Sequence, residues 1–202
     1  MSNLSEAGRR FLLIACYFEA SLALVALLLG WLFDINPFAE LFFSENALIC
    51  GVIATLPLLV LFFAIQQLPY QALQDIRRLL QQTLGQPLRF AHWTDLLALA
   101  CLAGLGEEVL FRGLLQQGFE HLWGADLALI GSGLIFALAH AVTALYALLA
   151  LLMSLYLGLA MDLGGERNLL TPIVIHALYD FVAFLVIVRQ SALHTGNQDE
   201  TN

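Results

Sequence analysis

The sequence predicts an all-α fold: a polytopic helical transmembrane bundle of about six spans, with an additional cytoplasmic interfacial helix. Three observations carry this. The chain of 202 residues is 60% hydrophobic and 12% charged, with a mean hydropathy of +0.83, where a soluble domain carries roughly a quarter charged residues. Its apolar runs reach the ~20 residues that a helix needs to cross a bilayer. Turn-forming residues fall between those runs, and all the arginines but Arg112 fall between or beside them.

The first span runs from Phe11 to Phe33, interrupted only by Glu19, and stops at Asp34-Ile35-Asn36-Pro37. Glu19 either snorkels or faces another helix. The second span covers Asn46 to Ile65, where Pro57 is expected to produce a kink. The connection between them holds Asp34, Glu40 and Glu45 and no arginine, whereas the next, Gln66 to His92, holds Arg77, Arg78 and Arg89. Positive charge marks the cytoplasmic side of a membrane protein. The N-terminus and the second connection are therefore expected in the cytoplasm, as is the C-terminus beyond Arg189, with the chain integral to a bacterial cytoplasmic (inner) membrane. Pro69 to Leu84 sets Ile76, Leu79, Leu80 and Leu84 against Gln, Asp and Arg, the pattern of a helix lying at the interface.

Thr94 to about Phe119 forms a third helical segment, with Thr94 or Asp95 expected as its N-cap. From Leu127 to Met161 there is no Asp, Glu, Lys or Arg. That stretch is too long for one span and suits two, turned near His140 to Ala144. Gly104, Gly106, Gly131, Gly133 and Gly158 are candidates for close helix contacts. After the turn Gly164-Gly165-Glu166-Arg167-Asn168, Pro172 is expected at the first helical position of a sixth span reaching Val188. The organisation is thus 1–92, two spans plus the amphipathic segment; 93–190, a helical core; and 191–202, a disordered tail.

Charge narrows the partners. Sixteen acids stand against eight basic residues, all of them arginine, for a net charge of −8. The arginine clusters Arg9/Arg10 and Arg77/Arg78/Arg89 sit beside apolar spans as topogenic charge, so nucleic acid is not an expected partner and membrane lipid is. Cys16, Cys50 and Cys101 stand singly in apolar runs and are read as inert thiols. The run before Cys16 is too short for a signal-peptide core, so the N-terminus is expected to be retained.

Against this background the third to sixth spans carry Glu107, Glu108, Arg112, His140, His176 and Asp180. An ionisable side chain in a span costs at least ~2.5–3.5 kcal/mol, so these groups need one another as partners. Glu108 and Arg112 are four apart, the spacing at which acid and base meet on one helix face. Glu107 points about 100° away from Glu108. One carboxylate can then be held by Arg112 while the other faces a cavity and takes a proton; spacing does not assign which. Phe136 packs beside His140 at the same four-residue interval. Asp180 orients the His176 imidazole.

Glu107-Glu108-Val109-Leu110-Phe111-Arg112-Gly113 matches an EExxxR motif, Phe136-Ala137-Leu138-Ala139-His140 an FxxxH motif, and His176-Ala177-Leu178-Tyr179-Asp180 stands where an HxxxN-type motif belongs. Together they resemble the CPBP family of membrane endopeptidases, which includes the type 2 CAAX prenyl proteases and bacteriocin-processing and immunity proteins. The resemblance covers about Thr94 to Val188. It implies hydrolysis, within or at the membrane, of a peptide bond in a membrane-associated or lipid-modified protein or peptide. Glu107 or Glu108 would be the general base, His140 would hold the water or a metal, and His176 with residue 180 would stabilise the oxyanion. Asp180 departs from the Asn of that motif, since an ionised carboxylate cannot donate to an oxyanion.

Zinc or another divalent metal held by Glu107, His140 and His176 is one option, and a metal-free glutamate mechanism fits the same residues. Two readings from other classes stand beside hydrolysis: a non-proteolytic immunity or interaction protein, and a proton or metal carrier. Span boundaries raise one difficulty. They place Glu107 mid-helix, His140 toward the cytoplasmic end and His176 toward the outer end, so tilt or a broken helix must bring the three to one depth.

Overall fold

The computed structural model describes residues 4–199, with side chains to residue 192. Among them the chain is mainly helical, without strands: α1 (Glu6–Phe33), α2 (Glu45–Gln67), α3 (Gln71–Leu80), α4 (Gln86–Leu88), α5 (Trp93–Glu108), α6 (Gln117–Trp123), α7 (Ala125–Ala139), α8 (Ala144–Ala160) and α9 (Leu170–Asp199). Two π-helical stretches, Gln81–Gly85 and Val109–Gln116, join α3 to α4 and α5 to α6. Residues 93–123 therefore run as one continuous helical rod.

Local chemistry sets the ends. Ser5 accepts from the Gly8 amide at the start of α1, and Asp34, in the left-handed region at φ 57°, ends it with its amide on the Gly30 carbonyl. Ser44 caps α2 in the same way, and Pro57 lies within that helix. At α5 the expected cap is displaced. His92 is the N-cap, its ring nitrogen accepting from the Thr94 amide, and Asp95 sits at the third helical position, its carboxylate accepting from the His92 amide. The shift follows from the reciprocal box, which satisfies donors at both positions where a lone Thr or Asp cap satisfies one. The start of α9 also differs: Asn168 accepts from the Leu170 amide, so the helix begins two residues before Pro172. Pro172 still falls in the first turn, where its missing N–H removes no helical bond.

Among the described residues three helices are long and apolar enough to cross a membrane, Glu6–Phe33, Glu45–Gln67 and Leu170–Ala192; α7 and α8, of 15 and 17 residues, are shorter. The amphipathic segment is the helix α3, with Leu73 and Ile76 buried and Arg77 donating to the Ile65 and Leu68 carbonyls at the end of α2. The backbone of α9 continues to Asp199, so Ser191 and Ala192, expected in a disordered tail, are helical. The rest of that expected tail, its side chains from 193 and its residues 200–202, lies outside the described residues.

Glycines decide which helices meet. A Cβ at Gly104 would touch the Ile173 carbonyl and Ala177, and with Leu96 and Leu99 against Phe181, Phe184 and Val188 this runs α5 antiparallel to α9. A Cβ at Gly106 would fall on the Glu19 carbonyl of α1. Gly51 brings α2 onto Thr171 and Val174. Between membrane helices no hydrophobic force distinguishes protein from lipid, so close backbone approach of this kind carries the packing. Outward faces of α1 and α2 remain apolar and exposed, as at Trp31, Leu32, Val60 and Leu61.

Candidate active site

The rod of residues 93–123 and the hairpin that follows it settle the depth problem. Glu107 precedes Gly124 by 17 residues and His140 follows it by 16. The 15 residues of α7 rise only about 22 Å, so the helix ends inside the width of a bilayer with His140 as its C-cap. The hairpin thus returns His140 to the level of Glu107. The first loop acts similarly on α9: the Leu169 amide bonds the Glu40 carbonyl and Asn168 bonds the Phe42 carbonyl. That recessed start places His176 beside Glu108.

The two glutamates occupy different surroundings. Glu108 is fully buried; its Oε1 accepts from Arg112 Nη1 at 3.0 Å and lies 2.7 Å from His176 Nδ1. Arg112, 1% exposed, turns its second nitrogen to the carbonyl and hydroxyl oxygens of Ser154, both at 2.8 Å, and its guanidinium lies 5.0 Å over the Phe136 ring. Glu107 is 8% exposed and makes no hydrogen bond; its Oε2 stands 3.7 Å from His140 Nε2, beyond direct bonding distance and open to bridging by water. The spacing left these roles unassigned, and the tertiary contacts distinguish them.

Each histidine is held by a different device. His140 Nδ1 lies 2.9 Å from the Phe136 carbonyl, which only an N–H can approach, so the neutral ring presents a lone pair at Nε2 toward Glu107. Its ring stacks on Phe136 at 4.3 Å, as the four-residue interval predicts. His176 lies between two carboxylates, Nδ1 on Glu108 and Nε2 at 3.5 Å from Asp180 Oδ2. Both of its nitrogens therefore face an acid.

A cavity of about 320 Å³ joins these groups. Glu107, His140, His176 and Asp180 line it, together with Glu19, Tyr146 and Tyr179, which no motif marked. Glu19 was visible as the lone acid of the first span; its place at the cavity follows from the contact of α1 with Gly106. Ser154 had no signal at all, being one hydroxyl in an apolar run 42 residues from Arg112. The site also adjoins the π-helical stretch Val109–Gln116, a backbone form that recurs at functional sites.

The expected metal set is not assembled in this arrangement. Among the described residues no three His, Cys, Asp or Glu side chains group so as to hold an ion. His176 Nδ1 is taken by Glu108, and its Nε2 faces Asp180 rather than Glu107 and His140.

Residues 89–182 match the family model described as "Type II CAAX prenyl endopeptidase Rce1-like". That match supports the CPBP/CAAX protease family for this part of the chain. The match spans α5 to the first turns of α9 and includes all six predicted site residues, whereas α1 and α2 lie outside it. No curated protein and no solved structure matches the chain. The CPBP/CAAX proteases are integral membrane endopeptidases, consistent with the three membrane-length helices here.

Proposed function

We propose that this chain is an intramembrane endopeptidase that hydrolyses a peptide bond of a membrane-associated or lipid-modified protein by glutamate-activated water. The observation that carries the reading is Glu107: a nearly buried carboxylate without a hydrogen-bond partner, 3.7 Å from the lone pair of His140 across a wet-sized cavity. A water between them donates one proton to Glu107 and the other hydrogen bond to His140 Nε2, which leaves an oxygen lone pair directed at a carbonyl. As the carbon–oxygen bond forms, Glu107 takes the proton; as the carbon–nitrogen bond breaks, it passes the proton to the leaving amine. Glu108, Arg112, Ser154 and Asp180 act at one remove, fixing His176 and the helix that presents Glu107.

The buried setting fits the chemistry, because electrostatic contacts shielded from bulk water are stronger than those in solution. The arginine distribution supports a cytoplasmic placement of both termini. The test is hydrolysis by the full chain in liposomes of a peptide ending in a prenylated CAAX box and of the same peptide without the lipid, in water enriched in ¹⁸O. Expected are one heavy oxygen in the new C-terminus and loss of product with Glu107→Gln. Full turnover by Glu107→Gln, or no cleavage of either peptide by the folded wild-type chain, overturns the reading. A parallel arm with chelator reads metal dependence.

A further inference from the structure

Hydrolysis through a tetrahedral intermediate needs a hydrogen-bond donor where negative charge develops on the carbonyl oxygen. Four side chains that line the cavity carry a donor: His140, His176, Tyr146 and Tyr179. His140 commits its N–H to the Phe136 carbonyl and turns a lone pair to the cavity. His176 has Glu108 against one nitrogen and Asp180 against the other. Asp180 stands where the family motif has an amide donor, and as a carboxylate it only accepts. The two tyrosine hydroxyls remain, and among the described residues neither makes a hydrogen bond, whereas Tyr156, lining the neighbouring groove, donates to the Ala54 carbonyl at 2.7 Å.

We propose that the Tyr146 hydroxyl is the oxyanion donor of this site, supplying the hydrogen bond that the third motif lacks. Two observations choose it over Tyr179. Tyr146 lies in the first turn of α8, directly after the turn that carries His140, and lines the cavity with Glu107. Tyr179 is also turned toward α2, its ring 5.8 Å from Phe62 in an edge contact. As the oxyanion donor, Tyr146 strengthens its bond as the carbonyl oxygen gains charge.

The inference rests on the hydrolase reading, and the experiment separates the two. Tyr146→Phe, Tyr179→Phe and Glu107→Gln are compared in the liposome peptide assay, with binding of a phosphinic peptide whose tetrahedral anionic centre mimics the intermediate. Tyr146→Phe is expected to lower kcat by about 10²–10³-fold with KM nearly unchanged, and to weaken the phosphinic peptide in proportion. Tyr179→Phe should lower kcat by less than about tenfold. The melting temperature of Tyr146→Phe should equal that of the wild type, since the lost oxygen bonds nothing. Should it fall, 3-fluorotyrosine at position 146, which keeps the hydroxyl and alters its acidity, supplies the readout: kcat and phosphinic-peptide affinity changing together support the donor, and no change in either overturns it. Unchanged kcat in Tyr146→Phe, or the larger loss in Tyr179→Phe, overturns the assignment while leaving the hydrolase reading intact. Full activity in Glu107→Gln removes that reading itself.

Discussion

His176 Nδ1 lies 2.7 Å from Glu108 Oε1, the same oxygen that receives Arg112 Nη1 at 3.0 Å. A carboxylate without exposure thus joins a base on its own helix to an imidazole 68 residues further along the chain. This separates the paired glutamates into a structural member, Glu108, and a cavity-facing member, Glu107.

The separation predicts opposite responses to substitution. Glu108→Ala leaves the Arg112 guanidinium buried without its counter-charge, a change of the kind that costs about 3–5 kcal/mol. Glu107→Gln removes no hydrogen bond. Thermal unfolding in detergent should show a large fall in melting temperature for Glu108→Ala and almost none for Glu107→Gln, although both lose turnover. Equal stability of the two variants would contradict the distinction.

Ser154 provides a finer test. Its hydroxyl receives a charge-assisted bond from Arg112 at 2.8 Å, and bonds to charged groups contribute about 1.5–3 kcal/mol. The carbonyl of the same residue shares that donor, so Ser154→Ala should fall toward the lower end, with a smaller loss of turnover than Arg112→Ala. Denaturant midpoints and hydrolysis rates check both halves.

Gly106 holds α1 against the helix that carries the glutamates. A methyl there would meet the Glu19 carbonyl, a backbone atom that cannot swing away. Gly106→Ala should therefore destabilise by about 1–3 kcal/mol, the usual range for overpacking, and Gly106→Val by more. Since Glu19 lines the cavity, turnover should decline along the same series, measured as kcat against melting temperature.

Outside the bundle centre, Arg167 pairs with Glu120 at 2.5 Å with both side chains roughly a quarter exposed. Partial exposure screens such a pair, so Glu120→Gln should cost only about 1 kcal/mol. A calorimetric loss as large as that of Glu108→Ala would contradict the ranking by burial.

The sequence by itself determined the class of fold, the order of the helices and the three motifs, because a bilayer demands long apolar runs and makes each ionisable residue conspicuous. It also placed Glu108 with Arg112, and Phe136 with His140, on shared helix faces, since a four-residue interval on a helix fixes neighbours, but it did not assign which glutamate Arg112 holds. Tertiary structure decided the rest. Which glutamate faces the cavity depends on His176 and Ser154, both supplied by distant helices. Glu19 and the tyrosines enter the chamber through helix crossings set by Gly106 and by the shortness of α7. Such contacts are relations between segments remote in the chain, and no local periodicity encodes a distance across a bundle.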